Sequence, residues 1–257
     1  MKVLASDYDG TFYTDMEQTA RNIEAVKRWR AAGNRFGIVT GRALEIIRQP
    51  VEELEIPCDF LICASGAVIC SRDGQLLSAH PMDRGAAEKI MGEPAVRTAI
   101  QYTYMSSECC TCLKDGYEWE NRKKYRIKRI TVKEGEALDP LYQMSTRHLS
   151  EAEAAACAEA VNSRLGHMVR AHLNVDCVDI TAAGIDKSAG IREYGSLCSV
   201  DTNGILVIGD GANDLPMIRE FSGFAVENAC EAVKMAASRI YGSVEELIDE
   251  QLKFIVG

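Results

Sequence analysis

The sequence predicts an α/β protein with a parallel sheet core, helices on both faces of the sheet, and an inserted α+β module. Three observations lead there. Short apolar runs alternate with helical patterns at both ends of the chain, as strands joined by crossover helices do. The alternation breaks between about residues 82 and 182, where extended segments follow one another. On both sides of the break, distinctive polar residues stand just after apolar runs. In an open parallel sheet those strand ends form the ligand crevice.

Val3-Leu4-Ala5 is the first strand, running into Asp7-Tyr8-Asp9-Gly10-Thr11. A helix over 17–32 follows, with Ala20, Ile23 and Val26 near helical spacing and Gly33 as its stop. The run 36–39 is a buried strand ending at Thr40-Gly41-Arg42. Leu44, Ile47, Val51 and Leu54 mark a second helix, which Pro50 should kink or split. The strand 60–63 precedes a hairpin, 68–70 against 75–77, closed on Ser71-Arg72-Asp73-Gly74.

From there the pattern is irregular. A short helix near 85–91 precedes extended segments at 98–105, 126–132 and 141–146. Ser150 and Glu153 read as a capping box opening a helix. Strands at 168–174 and 177–181 follow, and the mixture suggests an antiparallel sheet. Regular alternation then resumes. A helix opens at Lys187, a strand at 205–208 ends in Gly209-Asp210-Gly211-Ala212-Asn213-Asp214, and a helix covers 213–221. A strand at 224–226, a helix at 231–238, an edge strand at 239–241 and a last helix capped by Ser243 and Glu246 complete the chain.

A chain of 257 residues fits one large domain or two modest ones. Its net charge of -9 argues against general affinity for nucleic acid or anionic membranes. No apolar run is long enough to span a bilayer. Asp7 and Asp9 stand where a secretory signal would need its apolar core, so a cytoplasmic location is expected. The ten cysteines are scattered and read as reduced small hydrophobes, with Cys109-Cys110-Thr111-Cys112 as a strand. The basic stretch from Arg122 through Lys123, Lys124, Arg126, Lys128 and Arg129 reads as a solvated face. The oligomeric state is unknown from sequence.

Asp7, Thr40 and Asp210 each follow an apolar strand, so strand adjacency would gather them at one sheet edge. Converging carboxylates repel unless a cation lies between them, and Mg²⁺ is the natural hard ion for such oxygen ligands. Lys187 at a helix start adds a positive charge beside backbone N–H groups, which suits an anion. Thr40 and Gly41 add a hydroxyl and an unobstructed N–H. The charges suggest phosphoryl transfer: Asp7 as nucleophile, Asp9 as general acid and then base, with the cation and Lys187 offsetting oxygen charge.

These four stretches resemble the four motifs of the haloacid dehalogenase (HAD) superfamily, in order and over nearly the whole chain. An insert between the second and third motifs is similar to the Cof-like branch with a C2-type cap. The resemblance implies a Rossmann-like core of residues 1–81 and 183–257 and a cap of residues 82–182. It implies Mg²⁺ held by Asp7, the Asp9 backbone carbonyl and Asp210. Asn213 would touch phosphate or Lys187, joining Thr40, Gly41 and Arg42 at the substrate, and Asp214 would support the catalytic group. The expected activity is hydrolysis of small phosphorylated substrates such as sugar phosphates. A phosphomutase or phosphotransferase of the same fold, or a phosphate-binding module without turnover, are the alternatives. Ser65 stands where the family usually has asparagine, Ser188 where glycine is common, and Glu227 where glycine is typical.

Overall fold

The computed structural model describes residues 1–114, 117–118, 124–125 and 127–256. An eight-stranded sheet forms the core. Its first strand, β1 (Val3–Asp7), is buried along its whole length and lies between β2 (Arg35–Val39) and β12 (Ile205–Gly209), parallel to both. Beyond β2 come β3 (Phe60–Cys63), β4 (Val68–Ser71) and β5 (Leu76–Ala79), the last two antiparallel. Beyond β12 lie β13 (Phe224–Val226) and β14 (Arg239–Tyr241), which is the edge. Strands covered on both faces carry continuous apolar runs, which is why their positions are readable to within a residue or two.

Helix α1 (Met16–Ala31) is capped by Asp15, whose carboxylate accepts from Gln18 N at 2.8 Å. It buries Ala25, Val26 and Trp29, and the Trp29 indole donates to Arg35 O at 2.8 Å. Helix α2 (Leu44–Glu53) runs unbroken through Pro50. The expected split does not occur: Leu54 N still bonds Pro50 O, and Ile46, Ile47 and Val51 anchor the buried face on either side.

The second sheet has six strands, in the order β10-β11-β9-β6-β7-β8. These are β6 (Gln101–Met105), β7 (Cys109–Leu113), β8 (Lys128–Arg129), β9 (Gln143–Arg147), β10 (Val169–Asn174) and β11 (Cys177–Ala182). All pairs are antiparallel except β7 with β8. Helices α3 (Ala86–Gly92), α4 (Val132–Glu136) and α5 (Glu151–Leu165) accompany it. Tyr102, Tyr104, Met144, Val178 and Ile180 point into an apolar cluster with α3 and α5 that starts in chain order at Met82. On the other side of the same strands Gln101, Thr103, Ser145, Arg147 and Asp179 line the space between the sheets, with Met105 packed against the core.

Two expectations for this region change. The segment expected to be extended over 126–132 yields only β8 before α4, whose N-cap Thr131 and Glu134 form a capping box. At the capping box expected on Ser150, the hydroxyl accepts from Glu153 N, but the Glu153 carboxylate accepts from Leu149 N at 3.2 Å rather than from Ser150. Of the basic stretch, Arg122, Lys123 and Arg126 lie outside the described residues. No disulfide forms among the described residues.

The chain closes with α6 (Lys187–Leu197), α7 (Leu215–Glu220), α8 (Glu231–Ala236) and α9 (Val244–Val256). The helix expected at 213–221 starts later, after a 3-10 turn at Ala212–Asp214. A third, smaller apolar cluster joins Ala43, Ile46, Ala64 and Ala67 of the core to Met105, Cys109 and Ile127.

Candidate active site

Asp7 is the last residue of the central strand, so its side chain emerges at the carboxyl edge of the sheet. The chain turns back at once: Phe12 N bonds Asp7 O, and Gly10 N bonds Tyr13 O at 3.0 Å. Gly10 has φ +85, and a Cβ there would lie 2.6 Å from Asp210 Oδ2. A glycine is therefore required twice, for the left-handed turn and for the approach of the carboxylate. The Asn228 amide donates to Gly10 O at 2.8 Å, and Thr11 Oγ1 donates to Asp210 Oδ1 at 2.5 Å. The second contact draws the first and last motifs together.

Lys187 opens α6 beneath this edge, with Asp186 as N-cap accepting from Ala189 N. Its Nζ donates to Asp7 Oδ1 at 2.6 Å and to Asp214 Oδ1 at 2.5 Å, and the side chain is 1% exposed. The second oxygen of Asp214 accepts from the backbone N–H of Asp210 and of Gly211, both at 2.9 Å. Burial alone works against the Lys187 ammonium, but Asp214 and Asp7 outweigh it and hold its pKa above the ordinary lysine value. Burial pushes the Asp7 carboxyl well up, opposed by Lys187 and reinforced by Asp214 and Asp210. Burial also raises Asp210.

Ligand oxygens of Asp7, Asp210 and Asp214 lie within 4.8 Å of one another. The donor set discriminates among them. Asp214 is fully engaged by Lys187 and two N–H groups, whereas Asp7 and Asp210 present carboxylates to the same crevice. One ammonium, bonded to Asp7 and Asp214 with the half-buried Asp210 beside them, leaves negative charge uncompensated. Hard oxygen donors with excess negative charge fit a small divalent cation.

Thr40 directly follows β2, and its hydroxyl accepts from Arg42 N at 3.1 Å. Arg42 reaches back to Asp9 with a fork: Nε donates to Oδ2 at 2.8 Å and Nη2 to Oδ1 at 2.5 Å. Its guanidinium also lies over the Tyr8 ring, 5.1 Å from the centroid. Gly41 meets the second sheet directly. Gln143 Nε2 donates to Gly41 O at 3.0 Å, and a Cβ on Gly41 would lie 2.8 Å from Asp179 Oδ2.

A cavity of about 530 Å³ separates the two sheets, a volume suited to a small organic ligand. Asp7, Asp9, Thr40, Gly41, Arg42, Asp210, Asn213 and Asp214 line it, with Lys187 just beneath. The structure thus brings together every site residue expected from sequence. The opposite wall was not foreseen: Gln101, Thr103, Ser145, Arg147 and Asp179 come from the second sheet. Thr11, inside the first motif, and Asn228, beside Glu227, were given no role in the sequence.

The chain belongs to the haloacid dehalogenase-like hydrolases, whose family model matches residues 4–247. It is 25% identical to the 5-amino-6-(5-phospho-D-ribitylamino)uracil phosphatase YbjI of Escherichia coli (strain K12), covering 98% of this chain and 97% of that one. It is 24% identical to the like-named phosphatase YwtE of Bacillus subtilis (strain 168), over 96% and 94% of the two chains. Its fold is that of a haloacid dehalogenase-like hydrolase from B. subtilis, with a TM-score of 0.84 at 18% identity and 98% of each chain covered. The HAD subclass IIB sugar phosphatase BT4131 superposes over 100% of both chains, with a TM-score of 0.81 and 21% identity. No helix among the described residues is long and apolar enough to cross a membrane.

Proposed function

We propose that this protein is a phosphatase that hydrolyses small phosphomonoesters, sugar phosphates or phosphorylated cofactors, through an aspartyl-phosphate intermediate on Asp7. One observation carries the reading: the Asp7 carboxylate stands at the end of the central strand, held by Lys187 and with an oxygen within 4.8 Å of one on Asp210, both on one wall of a ligand-sized cavity. The phosphatase activity of the two curated relatives supports it.

In the first step an Asp7 carboxylate oxygen attacks phosphorus and the ester P–O bond breaks. Asp9 gives its proton to the departing alcohol. In the second step Asp9 takes a proton from water, whose oxygen attacks phosphorus, and the bond to Asp7 breaks to release inorganic phosphate. The Arg42 fork orients Asp9 at the cavity wall. Lys187 fixes Asp7 and offsets charge near it, and Asp214 fixes Lys187. Thr40, Gly41 and Asn213, which line the cavity, would receive phosphoryl oxygens. Asp7, Asp210 and the Asp9 carbonyl would hold Mg²⁺, which when bound supplies charge neutralisation at the phosphate.

On this reading residues 1–81 and 183–257 carry the chemistry, and residues 82–182 form a cap over the leaving group. Phosphate release measured with Mg²⁺ across aryl phosphates, sugar phosphates, nucleotides and phosphorylated cofactors tests the proposal. Turnover of at least one class with kcat/KM above ~10⁴ M⁻¹s⁻¹ is expected. Stoichiometric phosphoenzyme without turnover would support the binding-module alternative, and isomerised phosphate esters without free phosphate would support a mutase.

A further inference from the structure

Resting on the phosphatase reading, the contacts of Arg42 extend the acid–base machinery beyond the core sheet. The Asp9 side chain is more than half exposed, and among the described residues its carboxylate accepts hydrogen bonds from Arg42 alone, through Nε and Nη2. An exposed carboxylate otherwise samples several rotamers. A guanidinium fork fixes both of its oxygens at once, so the direction of Asp9 follows the position of Arg42.

Two aromatic rings hold Arg42 in turn. The buried Tyr8 ring has its centroid 5.1 Å from the guanidinium carbon. The second ring is that of Tyr125, which lies between β7 and β8 in the chain. Its centroid is 6.0 Å from the same carbon, and its hydroxyl accepts from Nη1 at 3.3 Å. Ring faces attract a guanidinium electrostatically, and the hydroxyl takes the one terminus that Asp9 leaves free. Tyr125 is itself seated: it lines the cavity and packs against the apolar cluster that holds Ala43 and Ile46, next to Arg42. The core and the chain around the second sheet thus meet on one guanidinium, and that guanidinium carries the general acid.

We propose that Tyr125 is a positioning residue for proton transfer. Acting through Arg42, it holds the Asp9 carboxylate toward the leaving oxygen. Tyr125 itself neither gives nor takes a proton.

The test compares kcat/KM for benzyl phosphate and 4-nitrophenyl phosphate. The two rings are alike in size, but the benzyl alkoxide needs a proton as it leaves and the nitrophenolate does not. kcat/KM covers the steps up to transfer of phosphorus to Asp7, so the ratio of the two values, benzyl over nitrophenyl, reads the acid. Tyr125→Leu keeps apolar packing and loses both the ring face and the hydroxyl. It should lower the ratio at least ~10-fold. Tyr125→Phe restores the ring and should recover part of that loss. In an Arg42→Lys background, where the fork is gone, Tyr125→Leu should change the ratio less than ~2-fold, because residues that act through one another are not additive. Equal losses on both esters, as a merely structural role would give, would overturn the assignment. So would the full ratio change persisting in the Arg42→Lys background, which would mean that Tyr125 touches the leaving group directly. Both results leave the phosphatase reading intact. Circular dichroism checks folding; if Tyr125→Leu does not fold, Tyr125→Phe carries the test, with a ratio lowered more than ~2-fold in favour and an unchanged ratio against. Failure of the wild-type protein to release phosphate from either ester would remove the phosphatase reading, and the role of Tyr125 with it.

Discussion

At the scale of single residues, the site is a charge problem solved by geometry. Lys187 is shared by Asp7 and Asp214, and Asp214 is further tied by the N–H groups of Asp210 and Gly211. Asp210 accepts from Thr11 and makes no hydrogen bond to Lys187, so on the proposed reading a bound cation would depend on it most. Asp210→Ala should raise the Mg²⁺ concentration for half-maximal activity by at least ~10-fold. Titration of activity against Mg²⁺, beside a thermal melt, checks this; an unchanged Mg²⁺ curve would remove Asp210 from the site. The cysteines give a separate test of the fold. Burial pushes the thiols of Cys58 and Cys157 up to about 11 and that of Cys109 up to about 12. A raised thiol pKa leaves the neutral, unreactive form dominant below it. At pH 8 iodoacetamide should therefore label exposed Cys230 first and spare these three until denaturant is added. Peptide mapping of the alkylated protein reads the result.

At the scale of elements, the site depends on where helices begin. Lys187 is placed because Asp186 caps α6 and because Gly66 lets the preceding loop pass. Gly66 has φ +105, and a Cβ on it would lie 2.0 Å from Asp186 O. Gly66→Ala should destabilise the protein by more than ~2 kcal/mol, combining left-handed strain with displacement of α6. It should also lower activity by moving Lys187. Urea denaturation measures the first effect, and a loss within ~0.5 kcal/mol would contradict the packing described. The core elements were legible because strands buried on both faces carry unbroken apolar runs such as 205–208. Helix α4 was not, because five residues are too few for a period to show, and only Thr131 with Glu134 marked its start. Pro50 misled because one lost N–H in an otherwise well-anchored helix is tolerated.

At the scale of the molecule, two sheets face each other across the cavity, one with Asp7, Asp9 and Asp210 at its wall and the other with Gln101, Thr103, Ser145, Arg147 and Asp179. The residues of the first were legible because nucleophile, hydroxyl, lysine and carboxylate motifs occur in a fixed order after strands. Those of the second were not. Gln101, Thr103, Ser145, Arg147 and Asp179 lie at alternate positions of half-buried strands, a pattern that in sequence reads as a solvent face. Only the fold turns that face toward the core. The seam between the sheets is held by Gln143 on Gly41 O and by Met105 packed with Ile46 and Ala64. Gln143→Leu should loosen closure and raise KM several-fold for a substrate with a bulky leaving group, leaving kcat for a small aryl phosphate less affected; steady-state kinetics on the two substrates checks it. The central claim is that Asp7 is the nucleophile of a phosphatase. The most direct measurement is steady-state phosphate release by Asp7→Asn against the wild type, with Mg²⁺ and with circular dichroism to confirm folding. The account predicts a loss of at least ~10³-fold with the fold intact. A folded variant that retains a tenth of wild-type turnover would contradict it.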